Sequence, residues 1–116
     1  TITVPQTRLD QLLAEQVNKN NEIALIKIDV EGYEPVVLRG APDLFDTRRV
    51  RAVILEVTTT LPLDWVGNLI RETNRNYEAF AVGEVGRIKR RLRLTPVDAD
   101  SAVRRSTQWN LLLRRR

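Results

Sequence analysis

Two stretches decide most of what this chain can become. Ala24-Leu25-Ile26-Lys27-Ile28-Asp29-Val30 and Arg51-Ala52-Val53-Ile54-Leu55-Glu56-Val57 are near-continuous apolar runs, each with an acid close to its end. Short runs of this kind read as strands buried on both faces, as strands of parallel sheets are. Between them, Pro35 stands where a first-turn proline is tolerated, and Val36, Val37 and Leu38 supply a packing face. Gly40 and Pro42 then break the helix in two ahead of Leu44 and Phe45. Strand, crossover helix and strand make a parallel unit, so the expected class is α/β with a mainly parallel sheet.

The flanks extend this pattern. Thr7-Arg8-Leu9-Asp10 fits a capping box, and Leu9, Leu12, Leu13 and Val17 follow at helical spacing. Pro62 opens a helix whose apolar stripe is Trp65, Val66, Leu69 and Ile70. Residues 77–82 predict a third strand, 83–86 a turn, 87–94 a fourth strand and 109–113 a fifth. The last three are expected to pair antiparallel, because a tight turn and no strong helical pattern connect them. Tyr77, Phe80 and Trp109 read as core, and Trp65 as helix-to-sheet packing.

Composition narrows the chemistry. The 116 residues, 42% hydrophobic and 29% charged, suit one soluble domain spanning 1–116. No cysteine and no histidine is present, which excludes thiolate nucleophiles, disulfides, imidazole catalysis and the zinc sites built from either. Proton transfer must fall to carboxylates, lysines or tyrosines, and a protein-bound metal would be a hard ion on oxygen ligands. No apolar run approaches the ~20 residues that cross a bilayer, and no signal-peptide pattern opens the chain, so the expected location is cytoplasmic. The sequence begins at Thr1 and contains no methionine, as a fragment or processed piece would.

In open α/β sheets, ligands bind beyond the carboxyl ends of the parallel strands. Asp29 and Glu31 close the first run, and Glu56 lies near the end of the second. Together they could supply a general base, a magnesium site or a grip on a cationic ligand. The plainer reading is that such acids cap a helix or face water. Glu31 and Glu34 also precede a helix whose dipole favours negative charge. Lys27, within an apolar strand and on Asp29's face by period two, must find a carboxylate or reach to water; a partner near Asp29 is expected.

The run Lys27-Ile28-Asp29-Val30-Glu31-Gly32-Tyr33-Glu34, followed by Val37-Leu38-Arg39-Gly40-Ala41, resembles the signature of FkbM-family methyltransferases, K-x-D-x-E-G-x-E and then V-L-x-G-A. Thr7 to Leu13 resembles the family's T-x-L-D-x-L helix start. Val53 to Val57 resembles its next strand, and Asn110 to Leu113 its final one. The resemblance implies the C-terminal half of a class I (Rossmann-like) methyltransferase sheet, parallel strands followed by an antiparallel hairpin, using S-adenosylmethionine to methylate a hydroxyl on a small molecule or glycan. It implies Asp29 as the catalytic carboxylate with Glu31 second, Lys27 setting the charge state of Asp29, and Glu56 and Glu34 on the substrate side.

The same resemblance places the cofactor site mostly outside this chain. None of the five glycines forms a G-x-G, so no cofactor-binding residue is assigned, and no metal ligand is assigned either. Without the family's first strand, residues 24–30 become an apolar unpaired edge, and self-association through that edge is expected.

The competing reading is a non-catalytic α/β module. Net charge is +4, with the excess between Arg87 and Arg116, and Arg87, Lys89, Arg91 and Arg93 alternate along one strand. That pattern suits nucleic acid or another polyanion. A solvated edge strand suits it better, because no aromatic residues interleave for base stacking.

Overall fold

The computed structural model describes residues 3–16, 21–62, 64–85, 88, 91–105 and 107–116. The elements run α1 (Leu9–Gln16), β1 (Ile26–Ile28), α2 (Glu34–Arg39), β2 (Ala52–Val57), α3 (Trp65–Thr73), β3 (Tyr77–Val85), β4 (Arg91–Pro96), α4 (Ala99–Val103) and β5 (Trp109–Arg115).

The five strands form one mixed sheet in the order β1-β2-β5-β3-β4. β1 and β2 are parallel, with Ile26 opposite Val53 and Ile28 opposite Leu55. β5 runs antiparallel to both β2 and β3, and β4 antiparallel to β3. The strands β1, β2 and β3 therefore point the same way, and their carboxyl ends share one rim. The expected parallel pair and the expected antiparallel group at 77–113 are both present. The insertion of β5 between β2 and β3 was not anticipated.

One face of the sheet carries the core. Val53, Leu55, Leu111 and Leu113 are fully buried there, and Ile28, Ala81 and Trp109 nearly so. Val66, Leu69 and Ile70 of α3 and Ala99 and Ala102 of α4 close over them in the same cluster. Tyr77 is buried with them, edge-on to Phe45 at 5.3 Å between ring centroids. The α3 stripe predicted from sequence is thus the packing face, and Trp65 packs against the core as expected.

The opposite face is not covered by the described helices, which corrects the expectation that both long runs are buried on both sides. Successive rows across it read Lys27, Ile54, Leu112, Phe80, Pro96, and then Glu56, Asn110, Val82, Leu94. Leu25 is 52% exposed at the edge. Phe80, expected in the core, lies half-buried on this face beneath the Arg114 guanidinium, 4.6 Å from its ring centre.

Several local expectations are also corrected. The first run pairs regularly only over Ile26–Ile28, with one further bridge between Ile23 and Val50. No second helix forms after Gly40; residues 42–47 are turns. The capping box at Thr7 is not made, because the Asp10 amide donates to the Gly40 carbonyl at 3.0 Å. β3 continues through Gly83 to Val85, past the expected turn, so β4 starts later, at Arg91. The helix α4 carries a capping box that was missed: Asp98 accepts from the Ser101 amide at 2.7 Å, and Ser101 Oγ accepts from the Asp98 amide at 3.1 Å.

Candidate functional site

The site lies on the rim where β1 and β2 end. Their parallel register sets it: Ile28 faces Leu55 on the buried side, so the next residues, Asp29 and Glu56, emerge side by side on the open face. The two carboxyls are neighbours on the rim, and a hydrogen bond between them calls for a proton on one of the two. The Glu56 pKa is accordingly raised. The main cause is that hydrogen bond; partial desolvation and the charges of Asp29, Glu34 and Glu31 add to it.

The loop after β1 is tightly built. Glu31 and Gly32 both have left-handed backbones, φ 51° and φ 100°. Gly32 is required there: a Cβ would sit 3.0 Å from Thr60 Oγ1 as well as in an unfavourable conformation. Glu34 opens α2 and is fully buried. Its Oε1 accepts from the Val30 amide at 3.2 Å and its Oε2 from the Gly32 amide at 2.9 Å. Pro35 follows in the first turn, as the sequence predicted.

The structure thus brings Asp29, Glu31 and Glu56 to one rim, with Asp29 and Glu31 exposed and Glu56 partly so. Glu34, expected on the substrate side, is instead enclosed and satisfied by backbone donors. Lys27 is exposed and makes no ion pair among the described residues, so the expected Lys27–Asp29 partnership is absent; spaced along one strand face, its ammonium extends to water. Residues missed from sequence stand beside the pair. Asn110 is opposite Glu56 in the β2–β5 register and is exposed. Thr58 and Thr60, whose hydroxyls lie 2.8 Å apart, follow β2 on the Gly32 side. Only the antiparallel insertion of β5 brings Asn110 here, and no local pattern signals it.

Among the described residues, no group of three or more acids is arranged to hold a metal ion. No helix of the described residues is long and apolar enough to cross a membrane.

The basic residues divide. Arg87 and Lys89 lie outside the described residues, while Arg91 and Arg93 are exposed on β4. Arg114 pairs with Glu78 at 3.1 Å, Arg116 with Glu78 at 3.6 Å and Arg115 with Glu22. Arg105 lies over the Trp109 ring at 4.9 Å. These four have partners within the fold, and Arg114 and Arg116 remain about half exposed.

A model of the methyltransferase FkbM domain matches residues 1–89. The chain belongs to the FkbM methyltransferase family. The match covers the K-x-D-x-E-G-x-E strand end, the rim acids and both parallel strands. No curated protein and no solved structure matches the chain.

Family membership implies S-adenosylmethionine as methyl donor. The one left-handed glycine turn on the rim has its Gly32 amide, and that of Val30, directed to Glu34. Those donors are therefore not offered to a ligand, and no described loop presents an open glycine cradle. The described rim amides do not fit a cradle for the donor.

Proposed function

We propose that this chain forms the acceptor side of an S-adenosylmethionine-dependent O-methyltransferase acting on a hydroxyl of a small molecule or glycan. The observation that carries this reading is the Asp29–Glu56 pair, two carboxyls that the β1–β2 register brings out side by side on an open rim. Such a pair is half base and half acid. Its ionised member accepts the proton that the acceptor oxygen releases as it becomes an ether. Its protonated member can hydrogen-bond to a neighbouring oxygen of the same substrate. A positioned base of this kind contributes about 10²- to 10⁴-fold.

Glu31 sits next on the rim and serves the acceptor's other hydroxyls, with Asn110 donating from β5. The parallel pair β1–β2 supports reading this sheet as the C-terminal half of a class I (Rossmann-like) sheet, with the donor held by residues other than those described.

The test is methyl transfer from labelled S-adenosylmethionine to a panel of sugars, polyols and phenols by the protein purified from its native source. The expected result is an alkali-stable methyl ether on a hydroxyl acceptor. Methyl ester or N-methyl products alone would overturn the hydroxyl assignment.

A further inference from the structure

We infer that Glu34 is a positioning residue: its buried carboxylate clamps the loop 30–32 and thereby holds Asp29 against Glu56. This deepens the proposed function and rests on it for its catalytic meaning, although the clamp itself is a statement about structure.

Three observations converge. Glu34 is fully buried, a costly place for a carboxylate unless it is well bonded. Its two oxygens take two amides of one short loop, Val30 and Gly32, rather than the free amides of its own helix. Between those amides stands Glu31, at φ 51°, a conformation that a non-glycine residue adopts only when its surroundings impose it. The loop follows Asp29 directly, so its path sets the direction in which Asp29 leaves β1. The Tyr33 amide donates to the Val30 carbonyl at 3.3 Å and closes the same turn. Without the clamp, Glu31 relaxes toward ordinary backbone angles and Asp29 swings off Glu56.

Glu34 also contributes charge, so neutralising it would shift Glu56 without moving anything. The informative variants keep the charge. Glu34→Asp retains the carboxylate but shortens its reach, so that both amides cannot be held. Gly32→Ala leaves Glu34 intact and displaces the loop through its positive φ and the contact with Thr60. The readout is the Glu56 carboxyl titration by NMR in the purified chain, with Glu72→Gln, remote on α3, as control. This needs neither donor nor acceptor, so failure of the methyl-transfer reading leaves it intact.

In both variants the Glu56 midpoint is expected to fall toward the ordinary glutamate value while the amide signals of residues 30–32 move. An unchanged midpoint in either folded variant overturns the inference. Should neither fold, hydrogen exchange in the unaltered chain decides. Protected Val30 and Gly32 amides support the clamp, and exchange as fast as in an open loop overturns it.

Discussion

Glu56 and Asp29 meet because Ile28 and Leu55 do: the parallel register that buries the two aliphatic residues brings the two acids out together one step later. Removing one acid should therefore be felt by the other. In Asp29→Asn, Glu56 loses its hydrogen-bonding carboxyl and its nearest negative charge. Its titration midpoint is expected to drop, read by carboxyl NMR. If Asp29 carries the acceptor proton, methyl transfer by the native protein falls by about 10²- to 10⁴-fold in the same variant.

The pH dependence of stability follows from the same pair. The folded-state pKa of Glu56 is raised, so the folded chain holds a proton that the unfolded chain releases. The slope of stability against pH is then negative through that window. Stability falls as pH rises from the ordinary glutamate range through the raised value. Asp98 acts in the opposite sense. Its pKa is lowered, chiefly by the Ser101 amide, and its contribution is lost as pH falls below the ordinary aspartate range. Urea midpoints across mildly acidic pH should decline less steeply in Glu56→Gln than in the unaltered chain.

The Tyr77 hydroxyl donates to the carbonyl of Val50, both residues being fully enclosed. Burial raises the phenol's pKa, with Arg115 and Arg48 opposing. Tyr77→Phe keeps the ring contact with Phe45 and leaves that carbonyl without its donor, at a cost of about 1–3 kcal/mol. Chemical denaturation measures it, with an unchanged m-value expected.

Gly67 lets α3 approach α4. A Cβ there would lie 2.7 Å from Val103 Cγ2 and 3.2 Å from the Ala99 carbonyl. Gly67→Ala is expected to destabilise by about 1–3 kcal/mol, as overpacking does. Adding Val103→Ala should recover part of the loss, and simple additivity of the two changes would show that the contact is not the cause.

Two copies pairing through β1 would have to adopt a definite register. The Ile23 amide and carbonyl bond to Arg49 and Arg51 at 2.9 and 2.8 Å, so by alternation Lys27 turns its backbone groups toward β2, and Ile26 and Ile28 turn theirs outward. Two copies meeting antiparallel, Ile26 against Ile28, would use every outward group but set Lys27 beside Lys27 at a spacing of about 4.5 Å between Cα atoms. The expected result is weak association that strengthens with salt and in Lys27→Thr, read by sedimentation velocity. A monomer under both conditions would remove β1 as an association edge.

The parts legible in the sequence were those written in local pattern. The parallel pair, the α3 stripe and the Asp29–Glu31–Glu34 run all follow from spacing within a few residues. The errors came where distant partners decide. Phe80 is aromatic and strand-placed, yet which face it takes depends on the β5 register, and that face is open. Glu34 looked like one more rim acid, and only the three-dimensional path of residues 30–32 turns its carboxylate inward. Lys27 shares a face with Asp29, but Asp29 is occupied by Glu56 across the sheet. The α4 cap is written in Asp98 and Ser101, but a helix of five residues is too short to show a periodic apolar stripe that would mark it.

The position of β5 bears on how the protein is made. Residues 109–115, made after all four other strands, occupy the middle of the sheet and join β2 to β3. Until they emerge, β1–β2 and β3–β4 are separate pairs with facing gaps, and the enclosed side chains of Val53 and Leu55 have no Leu111 or Leu113 to meet. Folding during synthesis must therefore wait for this strand, and a nascent chain stalled before it presents two sticky half-sheets to whatever chaperone stands at the tunnel mouth.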